Sequence, residues 1–235
     1  CIQSGKADVM IAVGAESVLC PLVIYSLANA KSLSRRNDTP KTASRPFDIT
    51  RDGFVIGEGG GALVIETEAH ALARGAKIYA EIKSCGNTSD AYHVTAPHPE
   101  GRGAIACMKQ ALSDAKLSPS DIGYINAHGT ATNKGDAVEI EAIKNIFTDK
   151  LPFVSSTKGA TGHMMGAGGI TETIACIKTI ETGIIPPTIN LNEVGPECSG
   201  VDLVANTAKK AEINYAMSNA FGFGGQNSSV IVGKY

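Results

Sequence analysis

The sequence has few aromatic residues and no extended run of one charge. It contains no tryptophan, and aromatic residues make up 5 % of its 235 residues. The net charge is −2, with acidic and basic residues mixed along the chain, so no basic face for nucleic acid is indicated. No apolar stretch approaches the roughly 20 residues that a membrane-spanning helix needs. These absences argue against nucleic-acid-binding and membrane-spanning proteins.

The six cysteines lack the spacing of a metal site or of a disulfide scaffold. They are widely separated, with no Cys-x-x-Cys pair and no nearby histidine cluster. The pattern favours reduced, mostly buried, structural thiols in an intracellular compartment. The chain starts at Cys1 and enters an apolar segment without the shape of a signal peptide. We therefore expect the natural N-terminus, with any targeting sequence, to lie upstream.

Hydrophobic residues are 43 % of the chain and charged residues 19 %, enough for a sizeable core. Strand-like and helix-like segments alternate along the whole sequence, which predicts a layered α/β fold. We predict helices over residues 68–74, 103–115, 136–147 and 168–182. We predict strands over residues 9–13, 62–66, 78–82, 124–127, 201–205 and 229–232.

Three glycine-containing loops carry the candidate chemistry. They are residues 126–136 (NAHGTATNKGD), 155–163 (SSTKGATGH) and 219–227 (NAFGFGGQN). The first two lie between a predicted strand and a predicted helix, where ligand crevices form in α/β folds. His128 and His163 therefore either share an active site or are two satisfied structural histidines. Metal ligation is the other alternative, but no carboxylate or thiolate at i+3 or i+4 completes a chelate.

These three segments, in this order, resemble the elongating β-ketoacyl-acyl-carrier-protein synthases of dissociated fatty-acid synthesis. The likeness continues through ADVMIAVGAE, ASRPFDITRDGFVIGEG and PPTINL, so it covers essentially the whole chain. The resemblance implies a thiolase-like layered αβαβα fold. Residues 1–76 would be the end of the first half, and residues 77–235 the complete second half.

The resemblance also implies roles for individual residues. His128 and His163 would stabilise the enolate left by decarboxylation of a malonyl thioester. Lys158 would orient the site in a buried pair with Glu172. Phe223 would gate the acyl tunnel and lend its backbone N–H to the oxyanion hole, although a core aromatic is the alternative for that residue. Four further residues would contact the substrate and its phosphopantetheine arm: Thr95, Thr130, Thr132 and Phe221.

The reaction implied is a decarboxylative Claisen condensation that lengthens an acyl chain by two carbons. The family's nucleophilic cysteine would fall about a dozen residues before Cys1, an offset inferred from the resemblance, so these 235 residues alone are expected to be inactive. The implied partners are an acyl carrier protein and a second copy of the chain. No resident cofactor and no metal are implied, because the phosphopantetheine arm arrives on the carrier.

Other members of the superfamily fit less well. Polyketide synthase modules usually have Gly-Asp-Pro where this chain has Gly135-Asp136-Ala137, and initiating synthases replace the second histidine, here His163, with asparagine. A non-catalytic partner resembling a chain-length factor stays open, because the nucleophile position is not in the chain. Residues 95–101 and 105–108 resemble mitochondrial synthases more than bacterial ones, which favours a mitochondrial location, with the bacterial cytoplasm as the alternative.

Overall fold

The computed structural model describes residues 1–235 and contains ten strands and six α-helices. No helix is both long enough and apolar enough to cross a bilayer. The strands are β1 (Val9–Glu16), β2 (Gly59–Glu66), β3 (Glu81–Ser89), β4 (Ile122–Asn126), β5 (Phe153–Ser155), β6 (Ile184–Ile185), β7 (Asp202–Leu203), β8 (Lys209–Lys210), β9 (Tyr215–Gly222) and β10 (Gln226–Gly233). The helices are α1 (Pro21–Asn29), α2 (Glu68–Ala73), α3 (Arg102–Ala115), α4 (Asn133–Ile146), α5 (Lys158–Thr161) and α6 (Met165–Thr182).

A six-stranded mixed sheet forms the centre, in the order β3-β10-β9-β4-β5-β7. The hairpin β9–β10 and the pair β10–β3 are antiparallel, whereas β9, β4, β5 and β7 run parallel. The strands β1 and β2 form a separate antiparallel ribbon, and β6 pairs with β8.

Alternate residues of β4 enter two different cores. Ile125 packs in the larger core with residues of α3 and α4, whereas Tyr124 packs on the opposite face with Cys176 of α6. Helix α6 also lies against the β1–β2 ribbon, where a Cβ at Gly14 would come within 2.8 Å of the Gly166 carbonyl oxygen. The layers therefore run α3/α4, sheet, α6, ribbon, as the alternation of segments predicted.

The predicted helices are all present, but one predicted strand is misplaced and β6, β8 and β9 were not predicted. The strand predicted at residues 78–82 starts later, as β3, because its partner β10 ends at Gly233 opposite Glu81. Strand β9 is missing from the prediction, which placed a loop over residues 219–227. The structure has there the end of β9, a tight turn and the start of β10. Pairing with two neighbouring strands outweighs the weak strand propensity of these small and polar residues.

The cysteine prediction is half right. The side chains of Cys107, Cys176 and Cys198 are buried, whereas the other three are exposed. The β1–β2 ribbon falls within residues 1–76 and the central sheet within residues 77–235. The division of the chain into two thiolase-like parts at 76/77 stays a prediction.

Candidate active site

The structure places His128 and His163 side by side. His128 follows β4, and His163 follows β5 and the short helix α5; these parallel strands are neighbours in the sheet, so their carboxyl ends meet at one edge. The ring centroids are 5.3 Å apart with an interplanar angle of 85°. Two aromatic rings pack beside this pair. The ring centroid of Phe54 is 5.1 Å from that of His163, and the ring centroid of Phe221 is 5.9 Å from that of His128.

Both imidazoles are neutral near pH 7. Burial lowers the pKa of His163 from 6.5 to about 3, and the nearby Lys158 ammonium adds to the shift. Burial, then the Lys158 ammonium and the repulsion that a second protonated ring at His163 would add, hold the pKa of His128 well below 6.5. The Nδ1 atoms of both rings are buried and have no hydrogen-bond partner. A neutral imidazole offers one N–H donor and one acceptor, so each ring can donate one hydrogen bond to a substrate oxygen.

The buried ion pair between Lys158 and Glu172 is present as predicted. Lys158 opens α5 just after β5, and Glu172 projects from α6, so the helix and the loop that flank His163 are joined through this pair. The two side chains are 2 % and 4 % exposed. Burial raises the pKa of Glu172, and the ammonium opposes that shift. Because a buried charge needs a partner, each residue fixes the other.

Glu139 is a site residue that the sequence analysis missed. Its carboxylate accepts hydrogen bonds from the backbone N–H groups of His128 and Gly129, both at 2.8 Å, and from Asn219 Nδ2 at 3.2 Å. Burial raises its pKa to about 7. The available signal was an acidic residue on the apolar face of α4, since Glu139 precedes Ile140 and Ile143 on that face.

Asp136 is a second buried carboxylate of α4 that accepts backbone N–H groups. The N-cap of α4 is Thr132, and Asp136 lies buried in the first turn. Its carboxylate accepts the N–H groups of Phe47 at 2.8 Å and Ala131 at 3.1 Å. Burial raises its pKa to about 6. The residue joins two distant segments rather than completing a helix end.

Segment 47–57, defined here as residues 47 to 57, contacts both histidine loops. Gly53 N–H donates to the Ala131 carbonyl at 2.9 Å, next to the His128 loop. The His163 N–H donates to the Val55 carbonyl at 2.7 Å, and Gly57 N–H donates to the His163 carbonyl at 3.0 Å. One continuous stretch of backbone therefore lines the two loops that carry the imidazoles.

The residues expected to contact substrate lie in three different parts of the structure. The hydroxyls of Thr130 and Thr132 are 3.0 Å apart in the His128 loop. Phe223 lies in the β9–β10 turn and the residue is 47 % exposed, so the core-aromatic alternative is wrong, and Phe221 packs against the site instead. Thr95 lies on an exposed loop between β3 and α3, and its N–H donates to His93 Nδ1 at 3.1 Å.

The loops that carry Phe223 and Thr95 are tied together. Gly224 N–H donates to the Val94 carbonyl at 2.7 Å, and Asp90 N–H donates to the Gly225 carbonyl at 2.8 Å. Asn227 Nδ2 donates to Asp90 Oδ1 at 2.8 Å. No group of three or more His, Cys, Asp or Glu side chains is arranged to hold a metal ion.

Two family models together match most of the chain. The model described as beta-ketoacyl synthase, N-terminal domain, matches residues 1–71, and the one described as beta-ketoacyl synthase, C-terminal domain, matches residues 79–192. The chain belongs to the β-ketoacyl synthase family. The expected resemblance is thereby confirmed.

Curated β-ketoacyl synthases resemble the chain along its whole length. It is 46 % identical over 236 residues to 3-oxoacyl-[acyl-carrier-protein] synthase 2 of Vibrio harveyi, covering 99 % of this chain and 57 % of that protein. It is 48 % identical over 242 residues to a putative mitochondrial 3-oxoacyl-[acyl-carrier-protein] synthase of Schizosaccharomyces pombe, covering 100 % of this chain and 57 % of that protein. The chain spans little more than half the length of these relatives.

Solved ketosynthases have the same fold. A β-ketoacyl synthase from Burkholderia phymatum STM815 aligns with a TM-score of 0.95 at 40 % identity, covering 100 % of this chain and 56 % of that one. A type II polyketide ketosynthase solved in complex with its acyl-carrier protein aligns with a TM-score of 0.96 at 37 % identity, covering 100 % and 58 %. The predicted thiolase-like fold is confirmed.

Proposed function

We propose that this chain forms part of a 3-oxoacyl-[acyl-carrier-protein] synthase that elongates fatty acyl chains by decarboxylative condensation. The nucleophilic cysteine of that enzyme lies upstream of Cys1. The observation that carries the proposal is the pair of adjacent imidazoles, 5.3 Å apart and held neutral by burial. The chain's 46–48 % identity to named synthases supports the same reaction class.

The geometry suits stabilisation of an enolate. Loss of CO₂ from a malonyl thioester breaks a carbon–carbon bond and leaves its electron pair on the α-carbon, with negative charge on the thioester oxygen. His128 and His163 each donate one N–H to that oxygen. The α-carbon then attacks the acyl-enzyme thioester carbonyl, a new carbon–carbon bond forms, and the cysteine thiolate leaves. Such a preorganised donor is typically worth a factor of about 10²–10³ in rate.

The surrounding residues keep the donors in place. Lys158 and Glu172 fix the start of α5 to α6 on either side of His163. The positive charge of Lys158 also lowers the pKa of both histidines, which keeps them neutral. Thr130 and Thr132 hydrogen-bond the phosphopantetheine arm, and Phe223, in the exposed turn, gates the tunnel with its backbone N–H at the oxyanion.

An acyl carrier protein delivers both substrates, and the enzyme is a homodimer. The carrier assignment is supported by the related ketosynthase that was solved with its acyl-carrier protein. We place the protein in mitochondria, with the bacterial cytoplasm as the alternative; relatives of both kinds match the chain equally well. A chain-length-factor role gains no support from the curated relatives, which are named as synthases.

The test measures acyl elongation by the natural polypeptide that carries this chain, with malonyl and acyl groups on acyl carrier protein. His128→Ala and His163→Ala are each expected to reduce malonyl decarboxylation by about 10²–10³-fold. His70→Ala is the matched control, because His70 lies on the surface against Glu66 and outside the site. Absence of elongation by the wild-type polypeptide, or full activity of both active-site variants, contradicts the proposal. Residues 1–235 alone are expected to be inactive.

A further inference from the structure

Arg51 is a buried cation whose side chain binds the backbone of the loop after His128. Its side chain is 1 % exposed. Nε donates to the Thr132 carbonyl at 3.3 Å, and Nη2 donates to the Asn133 carbonyl at 2.9 Å. Nη1 donates to the Asp48 carbonyl at 3.0 Å, within its own segment. The guanidinium fork thus joins segment 47–57 to the backbone at the start of α4.

The position of this cation is electrostatically unfavourable unless it is compensated. Thr132 is the N-cap of α4, and the positive end of a helix dipole repels a cation. Two carboxylates offset that repulsion: Asp136, with Oδ2 3.5 Å from Nε, and Glu197, with Oε1 2.6 Å from Nη2. Both carboxylates contact the same guanidinium, so the charge of the buried Arg51 side chain is compensated where it binds the loop.

The contacts divide the loop into two parts. Glu139 holds the N–H groups of His128 and Gly129, whereas Arg51 holds the carbonyls of Thr132 and Asn133. Asp136, adjacent to the guanidinium, holds the N–H of Ala131, whose φ of +67° lies in the left-handed region. Thr130 lies between these two parts and Thr132 belongs to the second, and their hydroxyls are 3.0 Å apart.

We propose that Arg51 is a positioning residue for the carrier-borne substrate, fixing the backbone of residues 131–133 so that the hydroxyls of Thr130 and Thr132 meet the phosphopantetheine arm. This inference rests on the proposed function. It predicts that Arg51 governs substrate binding more than the chemical step, because Glu139 and the Lys158–Glu172 pair hold the histidines independently. Lysine cannot replace it, because an ammonium lacks the planar fork that reaches three carbonyls.

The test compares Arg51→Lys with Arg36→Lys in the natural polypeptide. Arg36 lies in the same part of the chain and donates to the Thr50 carbonyl at 2.6 Å, but no contact joins it to the His128 loop. Loss of two hydrogen bonds to loop carbonyls is expected to raise KM for malonyl-acyl carrier protein about tenfold in Arg51→Lys, with kcat within about threefold of wild type. Arg36→Lys is expected to keep both constants.

Amide hydrogen exchange provides a readout that general destabilisation does not reproduce. In Arg51→Lys the N–H of Ala131 and of Gly53 should exchange faster, whereas the Gly129 N–H, held by Glu139, should keep its protection. Unchanged KM, or loss of protection at Gly129 as well as at Ala131 and Gly53, overturns the inference. A wild-type polypeptide that does not elongate acyl chains refutes the proposed function instead, and exchange at Ala131 then still reports on the Arg51 contact.

Discussion

Neutralising Glu172 should be among the most destabilising single changes in the molecule. In Glu172→Gln the Lys158 ammonium stays in a site where it is 2 % exposed and loses its ionic partner. Removing one member of a buried pair typically costs about 3–5 kcal/mol in free energy of unfolding, because a charge is left uncompensated. A native domain has only about 5–15 kcal/mol in total, so a large part of the stability should be lost.

The assay is urea unfolding of the natural polypeptide, followed by circular dichroism. A Lys158→Met/Glu172→Leu double variant should regain most of the lost stability, because apolar side chains of similar volume replace both charges. The double variant should nevertheless remain deficient in condensation, since the ion pair that joins the segments flanking His163 is gone. Glu181→Gln, which breaks the solvent-exposed pairs of Glu181 with Lys77 and Lys178, is the matched control and should change stability little.

The reasoning is refuted if Glu172→Gln unfolds within about 1 kcal/mol of wild type, which is the size of an exposed pair. It is also refuted if the double variant is less stable than Glu172→Gln. In that case the two side chains would contribute through packing or through other hydrogen bonds rather than through each other's charge.

Three further predictions concern protonation, packing and thiol reactivity. The pKa of His163 is about 3 in the fold against 6.5 unfolded, so its contribution to stability is complete above pH 6.5 and is lost as pH falls towards 3. The free energy of unfolding of His163→Asn relative to wild type, measured in urea, should therefore rise by about 2.7 kcal/mol when the pH is lowered from about 7.5 to about 4.5. A difference between the two proteins that does not change with pH contradicts the lowered pKa. Gly129→Ala should cost about 1–3 kcal/mol and reduce condensation, because a Cβ at φ +34° would lie 2.6 Å from Ser156 Cβ and 2.8 Å from Phe47 Cζ; unchanged melting and activity contradict this packing. Cys107, Cys176 and Cys198 should resist a thiol reagent in the native state, since burial raises the pKa of each thiol, to about 12 for Cys198; rapid native labelling of any of them contradicts the burial.

The sequence predicts those parts of the fold that depend on local residue patterns. A helix was predicted over residues 168–182, and α6 ends at Thr182, followed by Gly183 at φ +67°. The two histidines follow neighbouring parallel strands, so their convergence followed from the general rule for α/β sheets. Lys158 and Glu172 were paired through the family resemblance and through the need to compensate buried charge.

The rest depends on contacts between residues far apart in the chain. Glu139 and Asp136 read as ordinary acidic residues of α4 until the structure shows them accepting backbone N–H groups from other segments. Arg51 is 82 residues from its partner Asn133 and shares no motif with it. Strand β9 escaped prediction for the same reason, since its small and polar residues become a strand only between β4 and β10.

Segment 47–57 connects the regions matched by the two family models at the site of His128 and His163. It belongs to the part of the chain matched by the N-terminal domain model, yet it contacts the backbone of Ala131 and of His163 in the C-terminal part. A polypeptide cut at 76/77 would keep both imidazoles but lose the strip of backbone that spaces them. Both matched regions therefore contribute backbone to the histidine site, and an exchange of C-terminal domains between synthases would have to carry this segment along.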